Sequence, residues 1–290
     1  VSYPNAVYLG NAFAPEDQYS NDVQLQDQSF NPTGISSTGV IWNGNNYIAS
    51  ANLTNYSGLL TSLTGVTWSI KQIATSVLNL TDIILGNGIY VMSSTNTATP
   101  IFRSTDGVVW TTNSTTLTIP AVQLNSVAYR NGYYVSVGDE IVQSDDSLTW
   151  LSRKTYNTAF AVTLNGVNSI DASAFAGFIA VGKGKKYDYS TGLTELIDTN
   201  VITYSSESTG EFWQDGPSLT PNGLNAVASN GSIAIAVGEN NVIYQTSNGA
   251  NWTGINEVSV VSINGFTDQL NITNTAGFAD ADPIRVSNSF

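Results

Sequence analysis

The chain of 290 residues has no cysteine, no histidine and one methionine. Without cysteine there is no disulfide, no thiol nucleophile and no thiolate metal ligand, and the redox compartment is left open. Without histidine there is no Ser-His or Cys-His nucleophile pair, no imidazole ligand and no side chain that ordinarily titrates near neutrality. Charge is scarce as well. Charged residues make up 11% of the chain, against about 25% in ordinary globular domains, so Asn, Ser, Thr and Gln must supply the polar surface. The balance is acidic, 9 Lys and Arg against 22 Asp and Glu, a net charge of −13. That opposes nucleic acid, whose phosphates reward clustered cations, and it opposes anionic membrane surfaces. No apolar run approaches the ~18 residues of a membrane-spanning helix. The opening VSYPNAVYLG has neither the basic start nor the apolar middle expected of a signal peptide.

What the chain does have is a repeat. The clearest copy runs from Leu124 to Trp150, LNSVAYRNGYYVSVGDEIVQSDDSLTW. It reads as an alternating strand, a tight turn, a second alternating strand, a third strand and a polar turn closed by tryptophan. Tight turns of this kind fall at Asn43-Gly44, Asn87-Gly88, Asn131-Gly132, Ala176-Gly177 and Asn230-Gly231, in steps of 44, 44, 45 and 54 residues. A fixed period in this range marks a repeat array. Asn-Gly between alternating runs specifies a hairpin, because a type I′ turn needs positive φ at both central residues. The glycines Gly44, Gly88, Gly132, Gly177 and Gly231 are therefore the expected turn residues. The closing tryptophans are Trp68, Trp110, Trp150, Trp213 and Trp252, each expected to cover its hairpin. Trp42, just before the first turn, is expected on a buried face.

The closing turns read Ser62 to Trp68, Ser104 to Trp110, Ser144 to Trp150 and Thr246 to Trp252, with the pattern [ST]-x-[DTN]-[GS]-x-x-W. Their hydroxyls and Asp or Asn side chains suit bonds to nearby amides, and glycine relieves a left-handed position. Ser206 to Trp213 is one residue longer, with Ser208 where the acid is expected. These turns resemble the Asp-box, or BNR repeat, of sialidase-like β-propellers, whose usual form is S-x-D-x-G-x-T-W. The resemblance covers roughly residues 35–255 and implies an all-β chain.

No stretch has helical periodicity. Each repeat supplies three clear strands, and a fourth begins at the tryptophan. The expected architecture is a β-propeller of about five four-stranded blades, with repeats near 35–70, 80–112, 124–154, 167–214 and 224–255. Residues 1–34 read as an irregular N-terminal arm. Residues 256–290 read as a small C-terminal β segment; a sixth, degenerate blade drawn from either end also fits. The segment from Asn271 to Val286 resembles small β modules of bacteriophage tail and baseplate proteins.

The sialidase resemblance implies an arginine triad, a Tyr/Glu nucleophile pair and an Asp acid/base. The chain has only Arg103, Arg130, Arg153 and Arg285, and the family's N-terminal arginine motif is not visible. No catalytic set is therefore expected, and no cofactor or metal. Paired acids for glycoside hydrolysis have candidates in Asp139 with Glu140, Glu195 with Asp198, and Glu239, although adjacent acids on a loop are more often solvated surface. The candidate binding residues lie in an insertion of the fourth repeat, roughly residues 183–200. Lys183, Lys185, Lys186, Tyr187 and Tyr189 sit there, three of the five lysines beside two aromatic rings. Loops on a rigid scaffold commonly carry binding, though the same segment suits a subunit contact. The functional expectation is a non-enzymatic virion structural protein, a phage tail, fibre or baseplate propeller. It would meet other virion subunits in an oligomeric assembly, or a host-surface glycan, and would neither bind nucleic acid nor insert in a membrane. The alternatives are a secreted or surface glycan-active enzyme of sialidase-like fold, and an assembly factor or adhesin.

Overall fold

A computed structural model describes residues 35–112, 122–172, 175–188 and 195–255. The arm expected over 1–34 and the β segment expected over 256–290 lie outside the described residues. Twenty described strands form five four-stranded antiparallel sheets, and each sheet is a meander of consecutive strands. Blade 1 holds β1 (Val40–Trp42), β2 (Tyr47–Asn52), β3 (Ser57–Ser62) and β4 (Ser69–Ala74). Blade 2 holds β5 (Leu80–Gly86), β6 (Ile89–Ser94), β7 (Ile101–Ser104) and β8 (Thr111–Thr112). Blade 3 holds β9 (Leu124–Arg130), β10 (Tyr133–Gly138), β11 (Glu140–Ser144) and β12 (Leu151–Thr155). Blade 4 holds β13 (Thr163–Ala172), β14 (Phe175–Asp188), β15 (Glu195–Ser205) and β16 (Gln214–Asp215). Blade 5 holds β17 (Leu224–Ser229), β18 (Ala234–Gly238), β19 (Ile243–Thr246) and β20 (Thr253–Gly254). The chain folds as a β-propeller of five four-stranded blades.

Two of the five first turns are the two-residue type read from the sequence. Asn87 and Asn131 have φ of 49° and 47°, followed by Gly88 at 74° and Gly132 at 95°, and the flanking residues pair directly as Gly86 with Ile89 and Arg130 with Tyr133. At Asn43 and Asn230 the loop has four residues. Here asparagine works through its side chain. Asn43 Oδ1 accepts the amides of Asn45 and Asn46 at 3.0 and 2.7 Å; Asn230 Oδ1 accepts those of Ser232 and Ile233 at 2.9 and 3.0 Å. The fourth expected turn is misplaced. Ala172 pairs with Phe175, and Gly177 lies inside β14 opposite Ile170. Gly177 is needed for a close approach instead: a Cβ there would stand 1.8 Å from the Ser205 carbonyl oxygen.

The tryptophan turns share one construction. The third strand of every blade ends on a buried hydroxyl: Ser62, Ser104, Ser144, Ser205 and Thr246. In blade 2, Ser104 Oγ accepts the Gly107 amide at 2.9 Å, and Asp106 Oδ1 accepts those of Val108 and Val109 at 2.7 and 2.8 Å. Asp146 and Asn248 repeat this in blades 3 and 5. Blade 4 departs from the reading that put Ser208 in the acid's place. Its turn starts at Ser205, and Glu207 Oε1 accepts the amides of Glu211 and Phe212 at 2.8 and 2.6 Å. The extra methylene spans the longer loop. The indoles of Trp68, Trp213 and Trp252 donate back to the glycine carbonyl three residues earlier, at 3.0, 2.8 and 2.7 Å.

The core lies between blades. The middle strands bury both faces, so alternate residues enter different clusters. Tyr90 and Met92 pack toward blade 1, while Val91 between them packs toward blade 3. Tyr134 packs toward blade 2; Val135 and Val137 pack toward blade 4. Phe178 and Ala180 face blade 3; Ile179 and Val181 face blade 5. The closing tryptophan follows the same rule. Trp110, Trp150, Trp213 and Trp252 all join the cluster shared with the preceding blade, and Trp150 is completely buried. Trp42 contradicts the expectation of burial: it is 51% exposed and leans on the Tyr47 ring at 4.7 Å. It stands on the face of blade 1 that has no described neighbour.

Consecutive blades are also stapled by hydrogen bonds near the start of their first strands. Thr38 Oγ1 donates to the Leu80 carbonyl at 3.2 Å, and Thr81 Oγ1 to Leu124 at 2.8 Å. Asn125 and Asn165 Nδ2 reach the carbonyls of Leu164 and Leu224, both at 2.8 Å. Asp82 adds a second link, accepting the Ser126 hydroxyl at 2.7 Å and the Val127 amide at 3.0 Å. Burial nonetheless pushes its carboxyl above the ordinary value.

Two outcomes follow in urea unfolding. Gly177→Ala should cost about 3 kcal/mol, because the new methyl overlaps backbone oxygen and the strands must part. Gly132→Ala, whose Cβ meets nothing within 4 Å, should cost only roughly 1 kcal/mol of backbone strain. Equal losses would show that Gly177 is not a close-approach position. The second concerns acid. The Val109 amide, then the Val108 amide and the Ser104 hydroxyl, hold the Asp106 carboxyl below its ordinary 3.8. A depressed value means stability present above 3.8 and lost as pH falls from there through the folded value. Asp106→Asn should therefore flatten the acid side of the unfolding midpoint plotted against pH, and an unchanged slope would refute the turn's role.

Candidate functional site

Blade 4 differs from the others in its central hairpin. Over residues 183–188 and 195–200 the expected loop is paired strand. It continues both strands in register, from Lys183 opposite Asn200 to Asp188 opposite Glu195. β15, 11 residues long, extends about 35 Å and carries the hairpin tip at one end and the tryptophan turn at the other. The candidate binding residues are therefore on the rim opposite those turns.

Tyr189 lies outside the described residues. Of the rest, Lys183, Lys185 and Tyr187 alternate along one side of β14, and Lys186 is exposed on the other side. Lys183 and Lys185 line a cleft of about 490 Å³ between the hairpin and blade 5. Its other walls are Asp198 and Thr199 of β15, Ala161, the Pro221–Gly223 loop and Glu239. Tyr187 stands outside that lining. It is 44% exposed and sits edge-to-face on Phe160 at 5.5 Å. Phe160 ends the 3-10 turn Thr158–Phe160, capped by Asn157, whose Oδ1 accepts the Ala159 amide at 2.9 Å.

The cleft is electrically balanced. Lys183 Nζ lies 3.7 Å from Glu239 Oε1, and Lys185 Nζ lies 3.1 Å from Asp198 Oδ1. All four side chains remain substantially exposed. Glu239 is also held by the backbone, its Oε2 accepting the Gly223 amide at 3.1 Å. One positioning residue was missed by the sequence reading. Buried Asn200 accepts the amides of Leu219 and Thr220 at 2.7 and 2.9 Å and donates to the Pro217 carbonyl at 3.1 Å, so it fixes the loop leading to Pro221. A single asparagine inside a strand gave no signal; Pro217, Pro221 and Gly223 marked the loop but not its partner.

Asp139 and Glu140, also raised as hydrolytic candidates, have local contacts. Asp139 accepts the Gln123 amide at 3.2 Å, and Glu140 accepts the Ser152 hydroxyl at 2.8 Å. The three described arginines do not converge. Arg103 donates to Ser147 at 2.7 Å, Arg130 pairs with Asp171 at 2.6 Å, and Arg153 reaches Gln143 at 2.8 Å and Glu211 at 3.1 Å. Their partners Ser147, Asp171 and Glu211 each belong to the following blade. Among the described residues no group of three acids is placed to hold a metal ion, and no described helix is long and apolar enough to cross a membrane.

No family model matches the chain, and no curated protein matches it. Solved structures do match. The extracellular domain of the hybrid two component system BT4673 from B. thetaiotaomicron superposes with a TM-score of 0.55 at 11% identity, over 79% of this chain and 29% of that one. YCF48 bound to D1 peptide gives 0.49 at 16% identity, over 76% and 66%. A nidogen/laminin complex gives 0.46 at 12% identity, over 74% and 76%. The chain thus spans less than two thirds of the first two. At these identities the likeness bears on the propeller fold alone.

The lysine–carboxylate pairs bordering the cleft are solvent-screened, and exposed pairs contribute at most about 1 kcal/mol. Lys183→Ala and Lys185→Ala should each leave the thermal midpoint within about 2 °C. A larger fall by calorimetry would mean that these side chains hold the hairpin together rather than stand ready for a ligand.

Proposed function

We propose that the chain is a non-enzymatic propeller whose long blade 4 hairpin presents a glycan-binding cleft. The observation that carries this reading is the cleft of about 490 Å³ bordered by two lysines, two carboxylates, Thr199 and Asn222, with the exposed Tyr187 ring two positions beyond Lys185 on the same side of β14. Aromatic faces stack on sugar rings, and balanced donors and acceptors suit hydroxyls better than an ion. The composition, poor in charge and lacking His and Cys, and the tail-like C-terminal sequence support placing it in a virion, as scaffold or host-surface binding module among other subunits. The Asp-box likeness of the tryptophan turns supports a sialidase-like ancestry for the scaffold.

A glycan array with the intact chain tests the binding claim. Tyr187→Ala should lower affinity for the retained glycan about tenfold, with unfolding unchanged; binding that ignores Tyr187, Lys185 and Asp198 alike would refute the cleft. The chain should also be found in purified particles at fixed stoichiometry. A second reading rests on Asp198 and Glu239 lining the same cleft: a glycan-active enzyme using both carboxylates. It requires product release from the bound glycan that Glu239→Gln abolishes.

A further inference from the structure

The opposite rim carries a second surface, independent of the cleft. The tryptophan turns of blades 1 to 4 hold Leu63, Val66, Val108, Val109, Leu148 and Phe212 out in solvent, from 45% exposed at Leu148 to 73% at Phe212. These are tip positions of one repeated turn, so the topology brings them to the same end of the blades. Burying an aliphatic or aromatic side chain is favourable wherever the chain allows it, and large exposed apolar groups gathered on one side mark contact sites.

The tips are also held still. The turns of blades 2 to 4 are closed internally by the carboxylate bonds described above, and that of blade 1 by the Ser62 and Thr64 hydroxyls, which accept the Gly65 and Val66 amides at 2.8 and 3.2 Å. Each of three is tethered to the blade before it: Lys71 Nζ donates to the Val108 carbonyl at 3.0 Å, Arg103 Nε to Ser147 at 2.7 Å, and Arg153 Nη2 to Glu211 at 3.1 Å. Of these cations Arg153 meets a carboxylate, while Lys71 and Arg103 keep their charge on neutral partners. The same turns keep exposed carboxylates at Asp106, Asp145 and Asp146. With Glu207 and Glu211 the acids of these turns outnumber the three tethered cations, so the rim offers rigid apolar points in a net negative setting, with little ordering entropy left to lose on contact.

We propose that this rim is a docking surface for a protein whose contact face is apolar with a border of Lys and Arg. Charge complementarity selects that occupant. A second copy would bring the same carboxylates, on a chain of net charge −13, against each other. An anionic bilayer would be repelled for the same reason.

Site-specific photocrosslinking in the source, using the full chain, decides the matter. A benzophenone side chain is placed at Val109 or Phe212, and at Lys186 on the other rim as control. The expected result is one recurring polypeptide joined at both rim positions and absent at Lys186. Its crosslinked peptide should be rich in Lys or Arg, and the yield should fall about tenfold in about 1 M salt, where charge steering is screened. Adding Val108→Ser and Leu148→Ser, which touch no core cluster, should lower the yield about tenfold as well with the thermal midpoint unchanged. Adducts to a second copy of this chain, to lipid, equally at Lys186, or to nothing would overturn the proposal.

Discussion

A blade of this protein has no core of its own. Its middle strands bury both faces, so half of each apolar set is satisfied only by the next blade. The recurring staple makes the same point in polar form: a Thr or Asn at or just before the start of one first strand donates to the first leucine carbonyl of the next, from Thr38 to Leu80 through Asn165 to Leu224. A buried carbonyl without such a partner is costly. Register between blades is thus fixed by hydrogen bonds and filled in by Ile, Val and Phe. The two conditions agree on one arrangement, which is how locally similar repeats specify a single array.

The tryptophan turn is the other fixed point, and it divides labour between the two ends of a blade. Its polar side chains satisfy the turn's amides locally, which lets a short sequence reverse the chain without help from neighbours. The indole is then free to serve the interface with the preceding blade. Four of the five tryptophans serve it in this way, although their turns differ in length and in the capping residue. The opposite ends carry the interblade staples at the first strands but no such turn between the second and third. There the β14–β15 hairpin could lengthen by strand pairing alone, and a cleft opened between it and blade 5 without disturbing any interblade contact.

The fold was legible in the sequence because the repeat writes its own boundaries: the Asn-Gly pairs, the hydroxyl that ends each third strand, and the tryptophan. Where the reading failed, a residue type had been assigned one physical role when it has two. Asparagine reads as a left-handed turn residue, which holds at Asn87 and Asn131; at Asn43 and Asn230 it caps a longer loop through its side chain instead. Glycine reads as a turn, yet Gly177 is present because Ser205 backbone leaves no room for a Cβ. Glu207 was passed over because the pattern asked for Asp, although the loop it serves is longer. The lysines and tyrosine of the hairpin were visible as an insertion. The cleft walls were not, since Asn200 and the Pro221–Gly223 loop come together only through folding.

The exposure of Trp42 carries a further lesson about periodicity. Val40, Trp42 and Tyr47 occupy the same positions in blade 1 as Ile83, Leu85 and Tyr90 in blade 2, and the latter three belong to an interblade cluster. At the other end, Val237 of blade 5 is 42% exposed where Val137 and Val181 are fully buried. Asn225, in the place of Asn125 and Asn165, is exposed too. The apolar pattern is identical at buried and exposed copies, so no reading of a single repeat distinguishes them. What differs is the neighbour. Burial in such an array is a property of position in the series, and the end faces keep the chemistry of an interface whether or not the described blades fill it.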